Sequence, residues 1–100
     1  MSRITITKPD DWHIHLRDGD MLERTVNDVA AWANRAVIMP NLSPPVLTVA
    51  DATAYHSRIL SALSKAPDFE PLMTLYLTDN TTPQDIREAA ASPLVCGVKL

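Results

Sequence analysis

Short apolar runs alternate with stretches of helical spacing along this chain, and prolines mark most of the boundaries. Residues 3–7 alternate and read as a short opening strand that Pro9 ends. Trp12 to Arg17 alternates again, with Trp12, Ile14 and Leu16 on one face and His13, His15 and Arg17 on the other. Asp18-Gly19-Asp20 is a turn with capping chemistry. Leu22, Val26, Val29 and Ala33 then recur at helical spacing, which predicts a helix from about 20 to 33. Ala36 to Met39 suits a strand buried on both faces. It stops at Pro40-Asn41, and Pro44-Pro45 should keep the following loop extended. Thr48 with Asp51 resembles a capping box. Ala52, Tyr55, Ile59 and Leu63 mark the core side of a second helix, which Pro67 follows. Leu72 to Leu77 reads as a third strand. Thr82-Pro83 starts a third helix, with Asp85 in its first turn. Ser92-Pro93 ends it, and Val95 to Leu100 reads as a fourth strand.

The resulting β-α-β-α-β-α-β pattern predicts a parallel sheet with right-handed crossovers. Two architectures fit: a doubly wound open sheet, or a (β/α)8 TIM barrel of which residues 1–100 supply about the first half. A full barrel needs about 250 residues, and a half-barrel would leave two strand edges open. The expectation is therefore that 1–100 form the N-terminal portion of a single barrel domain in a longer polypeptide.

A net charge of -3 argues against general nucleic-acid binding, which usually needs a basic patch. The one cysteine, Cys96, excludes an internal disulfide and points to a reducing, cytoplasmic setting. No apolar run approaches the roughly 18 residues that span a bilayer.

The sharpest chemical signal is His13-x-His15. Alternation puts both imidazoles on one strand face, where they can converge on one metal ion. Two histidines spaced by two can also arise by chance, but two such groups on an otherwise apolar strand are costly without partners. Arg17 ends that strand, where sites of this fold class are built, and its fork suits a carboxylate or phosphate. The alternative is a surface arginine paired with Asp18 or Asp20. Asn41 holds the equivalent place after the second strand and can donate to the same anion, or simply make a turn. Lys99 is the odd residue of the fourth strand, with Gly97 leaving room beside it. A buried lysine tends to lose its proton and becomes a nucleophile, able to form a Schiff base or a carbamate. Otherwise it snorkels to solvent. His56 should face solvent, Cys96 should be a small buried hydrophobe facing the helices, and Asp79 is explained equally well by a turn.

Asp11-Trp12-His13-Ile14-His15-Leu16-Arg17-Asp18-Gly19 resembles the first-strand signature of the dihydroorotases, in the amidohydrolase superfamily. Met39-Pro40-Asn41 and Gly97-Val98-Lys99-Leu100 fit the single-domain bacterial type, so the resemblance runs through the whole chain. H-x-H alone would indicate only the superfamily; Arg17 and Asn41 narrow it. The resemblance implies a (β/α)8 barrel with two Zn2+ at its C-terminal mouth. It implies His13 and His15 as zinc ligands, Lys99 as a bridging carbamate (N6-carboxylysine) formed with carbon dioxide, and Arg17 and Asn41 as holders of the substrate carboxylate. The implied reaction is the reversible cyclisation of N-carbamoyl-L-aspartate to L-dihydroorotate in pyrimidine synthesis, by a cytoplasmic homodimer that binds neither nucleic acid nor membrane. The remaining histidine ligands and the aspartate general base fall outside 1–100, so no catalytic base is expected in this stretch. A related hydantoinase or allantoinase would share the metals but lack the carboxylate clamp. An inactive scaffold homologue would be expected to lose the ligands first.

Overall fold

The computed structural model describes residues 2–100. The chain forms β1 (Asp11–Ile14), a single 3-10 turn (Gly19–Met21), α1 (Leu22–Ala30), β2 (Arg35–Ile38), α2 (Val49–Ala62), β3 (Glu70–Tyr76), α3 (Pro83–Ala91) and β4 (Val95–Lys99). The strands make one sheet in the order β1-β2-β3-β4, every neighbouring pair parallel. A doubly wound sheet reverses its strand order at a switch point. Here the order never reverses, and α1 packs on α2 and α2 on α3, in a single layer. This is the winding of a (β/α)8 barrel, with the first half of its strands present.

Local chemistry explains where the helices start. Thr48 caps α2 through a reciprocal box with Asp51, as the spacing suggested. Thr82 does the same for α3: its hydroxyl accepts from the Asp85 N–H at 3.1 Å, while the Asp85 carboxylate accepts from the Thr82 N–H at 2.9 Å. The core lies between the sheet and the helix layer. Ile38, Met73 and Leu75 from the strands meet Val26, Val29, Tyr55 and Ile59 from the helices. The other sheet face carries His13, His15, Thr74 and Lys99, and is where chemistry can be placed.

The strand carrying the histidines is fastened near both ends. Asp10, just before β1, accepts from the Arg35 main-chain N–H at 3.1 Å and from the Arg35 side chain at 3.2 and 2.7 Å. The Arg35 guanidinium holds the Asp10 carboxyl below its usual range, so what this link contributes is present at neutral pH and is lost as pH falls. At the far end the Thr25 hydroxyl donates to the Leu16 carbonyl at 2.6 Å.

Several expectations change. Residues 3–7 form no strand: Ile4 and Ile6 are exposed and find no partner strand. The first strand ends at Ile14 rather than Arg17, and Arg17 itself leaves extended backbone, with φ 63°. The first helix ends at Ala30, where the Trp32 N–H turns back to the Val29 carbonyl at 3.2 Å. The third strand begins two residues early, at Glu70. The loop after Asn41 is not extended. It doubles back so that the Leu42 and Val46 N–H groups both donate to the Pro40 carbonyl, at 2.9 and 3.1 Å. Cys96 is exposed, since α3 covers β4 only in part.

Burial sorts the helix residues energetically. Ile59→Ala should lower the unfolding free energy by about 2–5 kcal/mol, as for other buried aliphatic truncations. The neighbouring exposed Leu60→Ala should change it by less than about 0.5 kcal/mol. Urea titration checks both; equal losses would contradict the packing described.

Candidate active site

Parallel strands bring their C-terminal ends to one edge of the sheet, and the singled-out residues gather there. His13 and His15 face the same way, with ring centroids 5.1 Å apart. Their Nε2 atoms lie 3.2 Å from each other. Two nitrogens bound at 2.0–2.1 Å to one tetrahedral metal stand roughly 3.3 Å apart. The pair thus already has the spacing of two ligands on one ion. The His13 N–H donates to the Asp11 carboxylate at 3.0 Å, which steadies the strand between them. Desolvation, and then the nearby charges of Arg17, His13 and Lys99, hold the His15 imidazole below its ordinary pKa. Both influences favour the neutral imidazole, the form that binds a metal. Among the described residues no group of three or more His, Cys, Asp or Glu could hold a metal ion.

Lys99 pairs across the sheet with Tyr76, and its Nζ lies 5.9 Å from the Tyr76 ring centre. It is not snorkelling: Nζ donates to Asn41 Oδ1 at 2.9 Å. The tight turn after Pro40 brings Asn41 to this position, which extended backbone would not do. Asn41 Nδ2 is left to donate elsewhere. Arg17 and Asn41 line one cleft of about 250 Å³ with Asp18, Leu42 and Ser43.

Arg17 could have been an ordinary surface arginine paired with Asp18. The Asp18 carboxylate instead accepts from Arg58 Nε at 3.1 Å and Nη2 at 3.0 Å. Among the described residues Arg17 makes no ion pair. A guanidinium with no ion pair among the described residues, at the edge that also carries Lys99, concentrates positive charge suited to an anionic ligand.

Two supporting groups were not legible as such. Tyr55 reads in the sequence as one more core position of α2, and it is fully buried, yet its hydroxyl donates to the Arg17 carbonyl. Arg58, one turn on, takes Asp18 and lies over the Tyr55 ring at 5.3 Å. The available signal was a tyrosine among aliphatic core residues, since a buried phenol needs a partner. His56 is half-buried rather than solvent-facing, and desolvation lowers its pKa. Asp79 is an exposed turn residue. A cavity of about 700 Å³ lies between the Gly19–Leu22 segment and the end of α2 and is lined by none of His13, His15, Asn41 or Lys99. Concavity alone does not locate the chemistry here.

No family model matches the chain. Among curated proteins it is similar to the dihydroorotase of Ralstonia nicotianae, 63% identical over 97 residues, which is 97% of this chain and 28% of that protein. It is also similar to the dihydroorotase of Alkalilimnicola ehrlichii, 60% identical over 100 residues, 100% of this chain and 29% of that one. The chain thus spans less than a third of the curated relatives it matches. Among solved structures, dihydroorotase from Campylobacter jejuni matches with a TM-score of 0.82 and 42% identity, over 93% of this chain and 27% of that one. Dihydroorotase from Saccharomyces cerevisiae, solved in complex with 5-fluoroorotic acid, matches with a TM-score of 0.81 and 34% identity, over 90% and 24%.

Proposed function

Dihydroorotase-family sequence runs the length of this chain, and on that premise we propose that the protein is a metal-dependent dihydroorotase, interconverting N-carbamoyl-L-aspartate and L-dihydroorotate in pyrimidine synthesis. One observation carries this reading: a histidine pair spaced for a metal meets, at one sheet edge, an arginine that makes no ion pair among the described residues. A metal alone would suit any cyclic-amide hydrolase. The arginine is what favours a substrate with a carboxylate.

His13 and His15 would hold one zinc ion through Nε2, and Lys99, as a carbamate, would bridge to a second. When bound, such a pair supplies Lewis-acid polarisation of the ring amide carbonyl and an activated water. The chain's own residues do the rest of what lies within 1–100. Arg17 forks onto the substrate carboxylate, and Asn41 Nδ2 donates beside it. Asn41 Oδ1 meanwhile presents Lys99 toward the histidines. The yeast relative was solved in complex with 5-fluoroorotic acid, and an acid ligand is what the Arg17–Asn41 cleft would take in this reading. The general base and further metal ligands belong to later strands in this reading. The protein would act as a cytoplasmic homodimer; the lone cysteine fits a reducing compartment.

Three outcomes test the proposal in the full chain. Arg17→Ala should raise KM for dihydroorotate roughly 10–100-fold, the worth of a charge-assisted pair, with bound zinc unchanged. Loss of zinc instead, or turnover of hydantoin but not dihydroorotate, would sink the assignment. His13→Ala and His15→Ala should each weaken zinc affinity by more than the about 10–100-fold that loss of an outer-shell partner costs. Elemental analysis after dialysis reads this, and full zinc retention would refute the ligand roles. Finally, a crystal of metal-loaded protein should show carbamate density on Lys99, where a bare amine would contradict the bridging role.

A further inference from the structure

Arg17 is the one non-glycine residue with positive φ among those described, at 63°. That region is uncommon for a side-chain-bearing residue and persists only where surroundings impose it. The imposing contact comes from 38 residues away. The Tyr55 hydroxyl, on a fully buried side chain of α2, donates to the Arg17 carbonyl. One turn along the same helix Arg58 grips the Asp18 carboxylate through two nitrogens and lies over the Tyr55 ring. Helix α2 thus fixes the main chain at Arg17 and removes the acid that would otherwise compete for its guanidinium. The Arg17 side chain is left lining the cleft it shares with Asn41.

We propose that Tyr55 is a positioning residue for substrate binding: its hydroxyl holds Arg17 in the left-handed conformation from which the guanidinium addresses the Asn41 cleft. Without that bond the Arg17 backbone relaxes toward negative φ and the fork turns away from the cleft. Tyr55 touches no substrate and acts only through Arg17. The inference rests on the carboxylate-binding role given to Arg17 above.

A double-mutant cycle in the full chain, with dihydroorotate as substrate, tests it. Tyr55→Phe keeps the buried ring, so the fold persists, and deletes only the oxygen. It should raise KM about fivefold, the worth of one hydrogen bond, with kcat and bound zinc essentially unchanged. In an Arg17→Ala background the same substitution should leave KM where Arg17→Ala alone puts it. Ile59→Val, a small core truncation one turn along α2, should lower the melting temperature without moving KM. An unchanged KM in Tyr55→Phe, or an equal rise in both backgrounds, would overturn the positioning role. Should Arg17→Ala itself leave KM unchanged, the carboxylate assignment falls and this inference with it. Should Arg17→Ala raise KM and Tyr55→Phe not, only this inference falls.

Discussion

Parallel pairing of four consecutive strands puts every strand's C-terminal end on the same edge of the sheet. The rest of the molecule follows from that constraint. His13 comes from the first strand and His15 from just past its end, Asn41 from the turn after the second and Lys99 from the fourth. The chain separates them by up to 86 residues (99 − 13), yet the winding brings them to one edge. The same constraint sends all three helices to one side, so packing and chemistry occupy opposite faces of the sheet.

The division of faces explains what could be read from the sequence. The histidine pair was legible because the extended chain keeps His13 and His15 on one side, despite a register shift between Asp11 and Ile14 and a strand that ends before His15. The element order was legible because capping residues and prolines mark helix starts locally, at Thr48 and Thr82. Where the reading failed, the cause was non-local. Residues 3–7 alternate like a strand but find no neighbour to pair with. Cys96 looks like core, but its exposure depends on how far α3 covers β4. Arg17 was placed on the histidine face by extending the alternation, whereas its carbonyl is drawn over by a tyrosine 38 residues away. The loop after Asn41 reads as extended from its two prolines, and instead folds back on a single carbonyl.

Charge is arranged with similar economy. Asp18 lies next to Arg17 in sequence and would be its natural partner. Arg58 takes it with a two-pronged contact, so the positive potential at the sheet edge is not cancelled by the nearest acid. The net charge of -3 comes from acids elsewhere on the chain, such as the exposed Glu23 and Asp68. A positive edge on an acidic chain is compatible with an anionic ligand, because local charge in a cleft can oppose the net charge.

The fastenings at the two ends of the first strand carry a further meaning. A strand of four residues has few ladder bonds to resist sliding along its neighbour. A slip of one position would rotate both imidazoles into the oily helix layer and bring Ile14 to the reactive side. Asp10 bound to Arg35 at one end, and the Leu16 carbonyl caught by Thr25 at the other, forbid that slip. The 3.2 Å gap between the two ring nitrogens is thus guarded by residues that never meet a ligand. Variation at Asp10, Arg35 or Thr25 would act on the site as a shift of frame, altering which side chains face it before altering any of their chemistry.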